Sequence, residues 1–273
     1  MRSPLLSSVL ICLASLSMLH AGAAQSLDYA WEDRFDSAER ARLGAWIEET
    51  AAALAALVGP FPMPVRIHFH RRDGSGEPVP WANTQRAGRQ GVHFHVDPAY
   101  PPRAFRHDWT APHELSHLVL PYLGRRHAWF AEGFASFMQY RVMQAMGVLT
   151  ADAAEQRLRR RLARAAGNYD YPDEPFVETA DRLRDAHRYP VLYWGGAVYF
   201  LQVDAALAAR GRGLLAVLAE YLACCRRDRD SLTGLLQDLD RISDGDTFTA
   251  TLATFTSRPG FPAAPRAPPR ATD

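Results

Sequence analysis

The stretch at residues 110–140 constrains what this chain can fold into more than any other part of the sequence. It contains His113, Glu114 and His117 in the spacing H-E-x-x-H, and Glu132 follows fifteen residues after the second histidine. Residues four apart lie about one turn apart on the same face of an α-helix, so the two imidazoles can point at one metal ion. Glu114 lies beside the first histidine, where it can reach a water bound to that ion. The spacing is typical of helical zinc hydrolases, in which the histidines bind zinc and the glutamate acts as general base.

A catalytic zinc ion usually has three protein ligands and an open position for water, whose pKa the metal lowers to about 7. Glu132 is the candidate for the third ligand. Pro121 and Gly124 predict the end of the first helix, and a second apolar helix begins near Ala128. Two antiparallel helices with a short connection would place Glu132 opposite the histidines. Its neighbours in sequence are mostly aromatic, and a carboxylate in such surroundings is costly without a partner, which favours a metal ligand over an exposed glutamate.

The segments HELSH and AWFAEGFASFMQY resemble the gluzincin (M1/M61-like) zinc metallopeptidases, in which a glutamate on the next helix is the third ligand. The spacing is most similar to that of the small peptidase MA-like group. The resemblance implies an α+β, zincin-like fold with a small N-terminal mixed sheet and a mainly helical C-terminal half. It also implies one Zn²⁺ ion held by His113, His117 and Glu132.

A second, weaker part of the resemblance covers residues 189–204. In the larger aminopeptidase relatives, the tyrosine of a Y-x-K-G pattern donates a hydrogen bond to the developing oxyanion. The run from Tyr193 to Gly196 is similar, with Gly195 in place of the lysine. The resemblance therefore implies two catalytic residues, Glu114 and Tyr193. His187, in the loop before this run, is a further candidate for an oxyanion donor.

The first 24 residues have the features of a signal peptide: Arg2, an apolar run, and small residues that allow cleavage after residue 23 or 24. The run is too short for a comfortable transmembrane span, although a buried N-terminal helix would look similar. We expect an exported protein, periplasmic or secreted, without stable membrane insertion, and no other stretch long enough to cross a membrane. The catalytic domain is expected at 27–256, with its α/β part ending near residue 109, and a disordered proline-rich tail at 257–273.

Composition excludes several other functions. The net charge of +1 gives no general attraction to nucleic acid, and 48% hydrophobic residues are ample for a core. All 31 basic residues are arginines, so no lysine can form a Schiff base. After signal removal two adjacent cysteines remain, Cys224 and Cys225, and we predict that they are free or half-buried thiols.

The order of predicted elements matches the expected fold. A helix at 37–58, with Ser37 as its N-cap, precedes alternating strands at 65–70 and 92–96. By analogy with gluzincins, residues 91–96 are the expected edge strand beside the cleft. The four strand histidines (His68, His70, His93 and His95) allow a second metal site, although ordinary core or surface histidines are commoner.

The C-terminal half is predicted to be helical except for one long loop. An arginine-rich helix at 151–166, capped by Thr150, either presents a solvated face or offers a patch for an acidic partner or lipid surface. Residues 167–190 are expected to form a loop containing a helical turn. The further helices are expected at 191–210, 213–226, 229–241 and 246–256.

These features predict a zinc metallopeptidase that hydrolyses a peptide or protein substrate with metal-activated water. In the aminopeptidase relatives to which the resemblance extends, the glutamate of a G-x-M-E-N segment captures the free amine of the substrate. No such segment occurs here, and Trp81-Ala82-Asn83 does not replace it, so internal cleavage is favoured. Two alternatives stay open: an exported zinc-binding module without activity, and a zinc amidase acting on a non-peptide bond such as a cell-wall linkage.

Overall fold

The strands at the start of the chain form one four-stranded mixed sheet in the computed structural model, which describes residues 26–86 and 88–265. The strands are β1 (Leu27–Trp31), β2 (Val65–Arg71), β3 (Trp81–Gln85) and β4 (Gly91–Val96), in the order β1-β2-β4-β3. β1, β2 and β4 are parallel, and β3 is antiparallel to β4. The predicted signal peptide lies outside the described residues.

The expectation that residues 91–96 form the edge strand is wrong. β4 is paired on both sides, and β3 forms the edge of the sheet on the side of the later helices. β4 is almost entirely buried, whereas β3 is mostly half-exposed. The alternating sequence of β4 indicates a buried strand but not its place in the sheet. The sequence of β3 is less regular and does not indicate that this strand pairs with β4 on its outer side.

The first helix, α1 (Ser37–Val58), packs on the sheet and ends at Gly59, whose φ is 85°. Its N-cap is Asp36 rather than the predicted Ser37. The Asp36 side chain accepts a hydrogen bond from the Glu39 amide, and the Glu39 side chain accepts one from the Asp36 amide. This capping box satisfies two of the amides left free at the start of the helix.

Nine further helices follow the sheet in the described part of the chain. They are α2 (Pro102–His107), α3 (Thr110–Ser116), α4 (Ala128–Ala145), α5 (Ala151–Gly167), α6 (Phe176–Asp185), α7 (Tyr189–Ala208), α8 (Leu214–Cys224), α9 (Leu232–Ile242) and α10 (Thr247–Ser257). The loop expected at 167–190 thus contains a ten-residue helix, α6. The predicted Thr150 cap of α5 is confirmed, because its side chain accepts a hydrogen bond from the Ala153 amide.

Two glycines let α4 and α7 cross at close range. A Cβ atom added to Gly133 would lie 2.3 Å from the carbonyl carbon of Gly196, and one added to Gly196 would lie 2.0 Å from the Trp129 oxygen. No side chain fits between two backbones at this distance. The contact also sets the position of Tyr193, which lies about one turn before Gly196, relative to Glu132, which precedes Gly133.

Replacing Gly133 with alanine should therefore destabilise the fold by about 1–3 kcal/mol or more, because the methyl group must push the two helices apart. The measurement is urea unfolding at neutral pH. Gly167→Ala is the matched control, since nothing lies within 4 Å of a Cβ at that helical glycine. Equal stability of the two variants would contradict the close crossing.

Two expectations about the C-terminal half are wrong for the described residues. The tail is ordered at 258–263: the Gly260 amide donates to the Glu174 oxygen at 2.9 Å, and the Phe261 ring lies against Tyr169 and Phe176. α7 is, by length and composition, apolar enough to cross a membrane, although most of it is buried among other helices. Its apolar character is that of a core helix.

The prediction of two free cysteine thiols is also wrong, because Cys224 and Cys225 form a disulfide with each other. Their Cα atoms are 3.7 Å apart, and Cys225 is the C-cap of α8. The chain leaves helical geometry there, so adjacent side chains can join. The bond encloses no loop and connects no distant segments.

The four strand histidines stack in a row instead of converging on an ion. The ring of His93 lies 4.0 Å from that of His68 and 5.2 Å from that of His70, and the His70 and His95 rings are 4.5 Å apart. The one group in the described residues with three donor atoms within 4.8 Å of one another is elsewhere. The alternative of a second metal site in this row therefore has no support. Burial, and then the charge of His70, lower the pKa of His95 to about 4.

This shift predicts a loss of stability in mild acid. An unfolded histidine has a pKa of about 6.5, so the unfolded chain binds more protons than the folded chain between pH 6.5 and about 4. The contribution of His95 to the free energy of unfolding is therefore complete above about pH 6.5 and declines as the pH falls towards 4. His95→Phe should show a smaller drop in the free energy of unfolding between pH 7 and pH 5 than the wild type. Identical pH dependence in urea unfolding would contradict the assignment.

Candidate metal centre

The first two predicted ligands lie on α3, a helix of only seven residues. It begins at Thr110, and Asp108 accepts a hydrogen bond from the Thr110 amide at 2.8 Å. The regular helix ends at Ser116, so His117 is its C-cap. The backbone of His117 stays helical (φ −56°, ψ −27°), and its amide donates to the His113 oxygen at 3.3 Å. The two imidazoles therefore keep the one-turn separation on which the prediction depends.

Glu132 closes the cluster from the first half of α4. The connection from α3 ends in a 3-10 turn at Arg125–His127, and the α4 helix then places the Glu132 Oε2 atom 3.1 Å from His113 Nε2 and 3.5 Å from His117 Nε2. Ligands 2.0–2.1 Å from a tetrahedral ion are about 3.3 Å apart. Both distances from the carboxylate to the imidazoles are close to this spacing, and all three donor atoms lie within 4.8 Å of one another, so the group could hold one zinc-sized ion.

The electrostatics of the cluster favour positive charge beside Glu132. Burial alone would raise the pKa of Glu132, but the two imidazoles hold it well below its ordinary value. Burial alone would lower the pKa of His113, but the hydrogen bond to Glu132 and its charge raise it. The carboxylate is therefore ionised and draws positive charge onto the rings. A divalent cation fits this donor set, since it would supply that charge at the point where the three atoms meet.

One ligand is held by a further hydrogen bond. His113 Nδ1 lies 3.2 Å from Gln139 Oε1, and the ring is fully buried. Gln139 follows Glu132 by seven residues, so it lies two turns along the same face of α4. In the residues that the structure describes, His117 Nδ1 has no hydrogen-bond partner. Gln139 is therefore the group that fixes which nitrogen of His113 faces the metal position.

The predicted general base is positioned from the sheet. The Thr84 hydroxyl of β3 lies 2.8 Å from Glu114 Oε2 and 3.1 Å from the Glu114 backbone oxygen. A donor so placed fixes the rotamer of the carboxylate and leaves its other oxygen available. Glu114 does not belong to the three-donor cluster, although it follows His113 directly.

Tyr193 also reaches the centre. Its ring stacks on the His113 imidazole with 5.5 Å between centroids, and it lines the same cavity as Glu114 and Glu132. Burial first, and then the two carboxylates, raise the pKa of Tyr193 above its ordinary value, so the hydroxyl remains a donor. His187 is not among the described residues that line the cavity; its ring contacts Tyr189, which in turn contacts Tyr193.

The cavity has a volume of about 340 Å³ and lies between the sheet edge and the helices. Besides the residues above, it is lined by Ala82 and Asn83 of β3, and by two basic residues, Arg86 and Arg125. Arg86 donates to the Leu120 oxygen at 3.1 Å. Burial, and then repulsion by Arg226, lower the pKa of Arg86 to about 10, so it still carries its charge at neutral pH.

Sequence reasoning missed three of these residues. Gln139 could have been found, because its spacing from Glu132 is a multiple of the helical repeat. Thr84 and Arg86 carry no such signal. They lie at the cavity only because β3 is the edge strand, whereas the sequence favours residues 91–96 for that position.

Replacing Gln139 with leucine should weaken metal affinity roughly 10- to 100-fold, because the His113 ring would lose the acceptor that orients it. The measurement is competition for Zn²⁺ with a chelator of known affinity. Gln144→Leu is the control, since Gln144 is an exposed residue of the same helix. Unchanged affinity in Gln139→Leu would contradict the orienting role.

The fold is similar to those of several zinc metallopeptidases. The M1 zinc metallopeptidase from Deinococcus radiodurans is 17% identical with a TM-score of 0.51, over 89% of this chain and 51% of that one. A mutant M1 zinc metallopeptidase from the same organism, bound to a Tyr-Ser-Ala substrate, is 16% identical with a TM-score of 0.52, over 81% of this chain and 46% of the other. Yeast LTA4 hydrolase in complex with bestatin is 12% identical with a TM-score of 0.54, over 88% and 39%.

This chain therefore spans about half or less of the length of these structures. Its sequence matches no protein-family model and no curated protein. At these identities the likeness concerns the fold, and the prediction of an α+β gluzincin-like fold with an N-terminal mixed sheet and a mainly helical remainder is confirmed. The finer assignment to the small MA-like group stays a prediction.

Proposed function

We propose that the chain is a zinc-dependent peptidase. The observation that carries the proposal is the position of Glu114: a carboxylate held by Thr84, beside three converging metal donors, in a cavity open to substrate. A site that only stabilised the fold would close the ion with protein ligands and would have no use for this carboxylate. The fold shared with zinc metallopeptidases supports the same activity.

The residues divide the reaction among them. His113, His117 and Glu132 would hold Zn²⁺, which, when bound, polarises a carbonyl and lowers the pKa of water to about 7. Glu114 takes the proton of the attacking water and passes it to the leaving amine. Tyr193 donates a hydrogen bond to the oxygen on which negative charge develops.

Internal cleavage is the favoured mode. The carboxylates that line the cavity in the described residues are those of Glu114 and Glu132, and both already have roles. No third carboxylate remains to bind the free amine of a substrate terminus. The charges of Arg86 and Arg125 would in addition repel an ammonium group. β3 offers its unpaired edge to an extended chain by β-augmentation, which positions a substrate without reading its end.

Export is proposed with the activity. The N-terminal features that predict a signal peptide support it. The disulfide between Cys224 and Cys225 supports it too, because such bonds persist in oxidising compartments such as a periplasm.

The test is an unbiased digest of a peptide library by wild-type protein and by Glu114→Gln, with metal content measured on both. We expect cleavage within peptides by the wild type and a loss of about 10²- to 10⁴-fold in kcat for the variant, because the general base is removed while the ligands remain. Both proteins should contain one zinc ion per chain. Glu178→Gln is the control, because Glu178 is a carboxylate of α6 outside the cavity.

The outcomes separate the alternatives. Full activity in Glu114→Gln would exclude the assigned mechanism. Bound zinc without cleavage of any peptide by the wild type would favour the inactive module, or the amidase if cell-wall fragments are cut instead. Release of single N-terminal residues alone would overturn the preference for internal cleavage.

A further inference from the structure

A second cavity, of about 510 Å³, is lined by one face of α5. The side chains of Arg157, Arg160, Arg161 and Arg164 all line it. They recur at i, i+3, i+4 and i+7, which is one face of a helix. Like charges at these spacings repel one another and cost helix stability, so the arrangement is unfavourable unless an anion offsets it.

No acidic residue lines this cavity in the part of the chain that the structure describes. Besides the four arginines, its lining consists of His107, Trp109 and Tyr140. Arg159, on the same helix but outside the cavity, pairs with Glu155 at 2.8 Å. The lining therefore carries four guanidinium charges and no carboxylate.

Aromatic residues form the other wall, and one of them also contacts a proposed zinc ligand. Tyr140 of α4 accepts a hydrogen bond from Arg161 Nε at 3.4 Å. Trp109, which is 41% exposed, lines the cavity and sets the edge of its ring against the His113 imidazole at 5.3 Å. A group bound among the arginines would thus lie one side chain away from a proposed zinc ligand.

We propose that this arginine cavity, defined by Arg157, Arg160, Arg161 and Arg164, binds an acidic segment of the peptide substrate. The inference rests on the proposed function: Trp109 lies in the cavity wall and against the proposed ligand His113, so a peptide bound at the metal centre is the nearest source of an occupant. Guanidinium groups match carboxylates in a bidentate, charge-assisted geometry. A cavity of about 510 Å³ has room for a few residues of a peptide, whereas the flat surface of a bilayer could not enter it.

The test compares internally quenched peptides with one cleavable core and a run of glutamate or of glutamine on either side. Wild-type protein should have a kcat/KM about tenfold or more higher for a glutamate peptide, and added salt should shrink this ratio. In the variant R157Q/R160Q/R164Q the ratio should fall to near one. R159Q, on the same helix but outside the cavity, should keep the wild-type ratio. A triple variant that retains the ratio would overturn the proposal.

Binding gives a second readout that does not depend on turnover. The anisotropy of a labelled glutamate peptide is measured on Glu114→Gln, with and without the three arginine changes. Loss of binding with the arginine changes would support the cavity even if no peptide were ever cleaved, in which case only the proposed function fails. Equal binding to both proteins would overturn the inference. So would binding of phosphatidylglycerol vesicles or inorganic phosphate but not of the peptide.

Discussion

An ionised, half-buried carboxylate set against two imidazoles is the constraint on which the rest of the structure depends. Glu132 remains charged although only 24% of its side chain is exposed, and positive charge beside it lowers the cost of that burial. The requirement fixes the approach of α4 to α3. It also explains why a seven-residue helix, too short to be stable alone, keeps its geometry as far as His117. The surrounding elements then act as supports for this arrangement.

The supports come from three different parts of the chain. α4 supplies both Glu132 and, two turns later, the amide that orients His113. α7 brings Tyr193 onto the His113 ring, at a distance that the glycine crossing with α4 determines. β3 supplies the hydroxyl that holds Glu114. A site built from helices and a strand can hold its geometry more closely than one built from loops.

Sequence reasoning anticipated the parts that local periodicity encodes. The spacing of His113 and His117, the second helix from Ala128 and the Thr150 cap each depend on a few neighbouring residues, and the structure has all three. The two site residues for which the sequence carried no signal depend on pairing across the sheet. No local pattern reveals that β4 lies inside the sheet and β3 at its edge, and the roles of Thr84 and Arg86 follow from that order.

The contact between Thr84 and Glu114 joins the proposed general base to a strand that is paired on one side only. A guest chain laid along the open side of β3 would complete the ladder of main-chain hydrogen bonds and restrain the strand. The restraint would pass through one hydroxyl to the carboxylate. In the proposed mechanism, Thr84 would thus be the link between a chain docked on β3 and the carboxylate of Glu114.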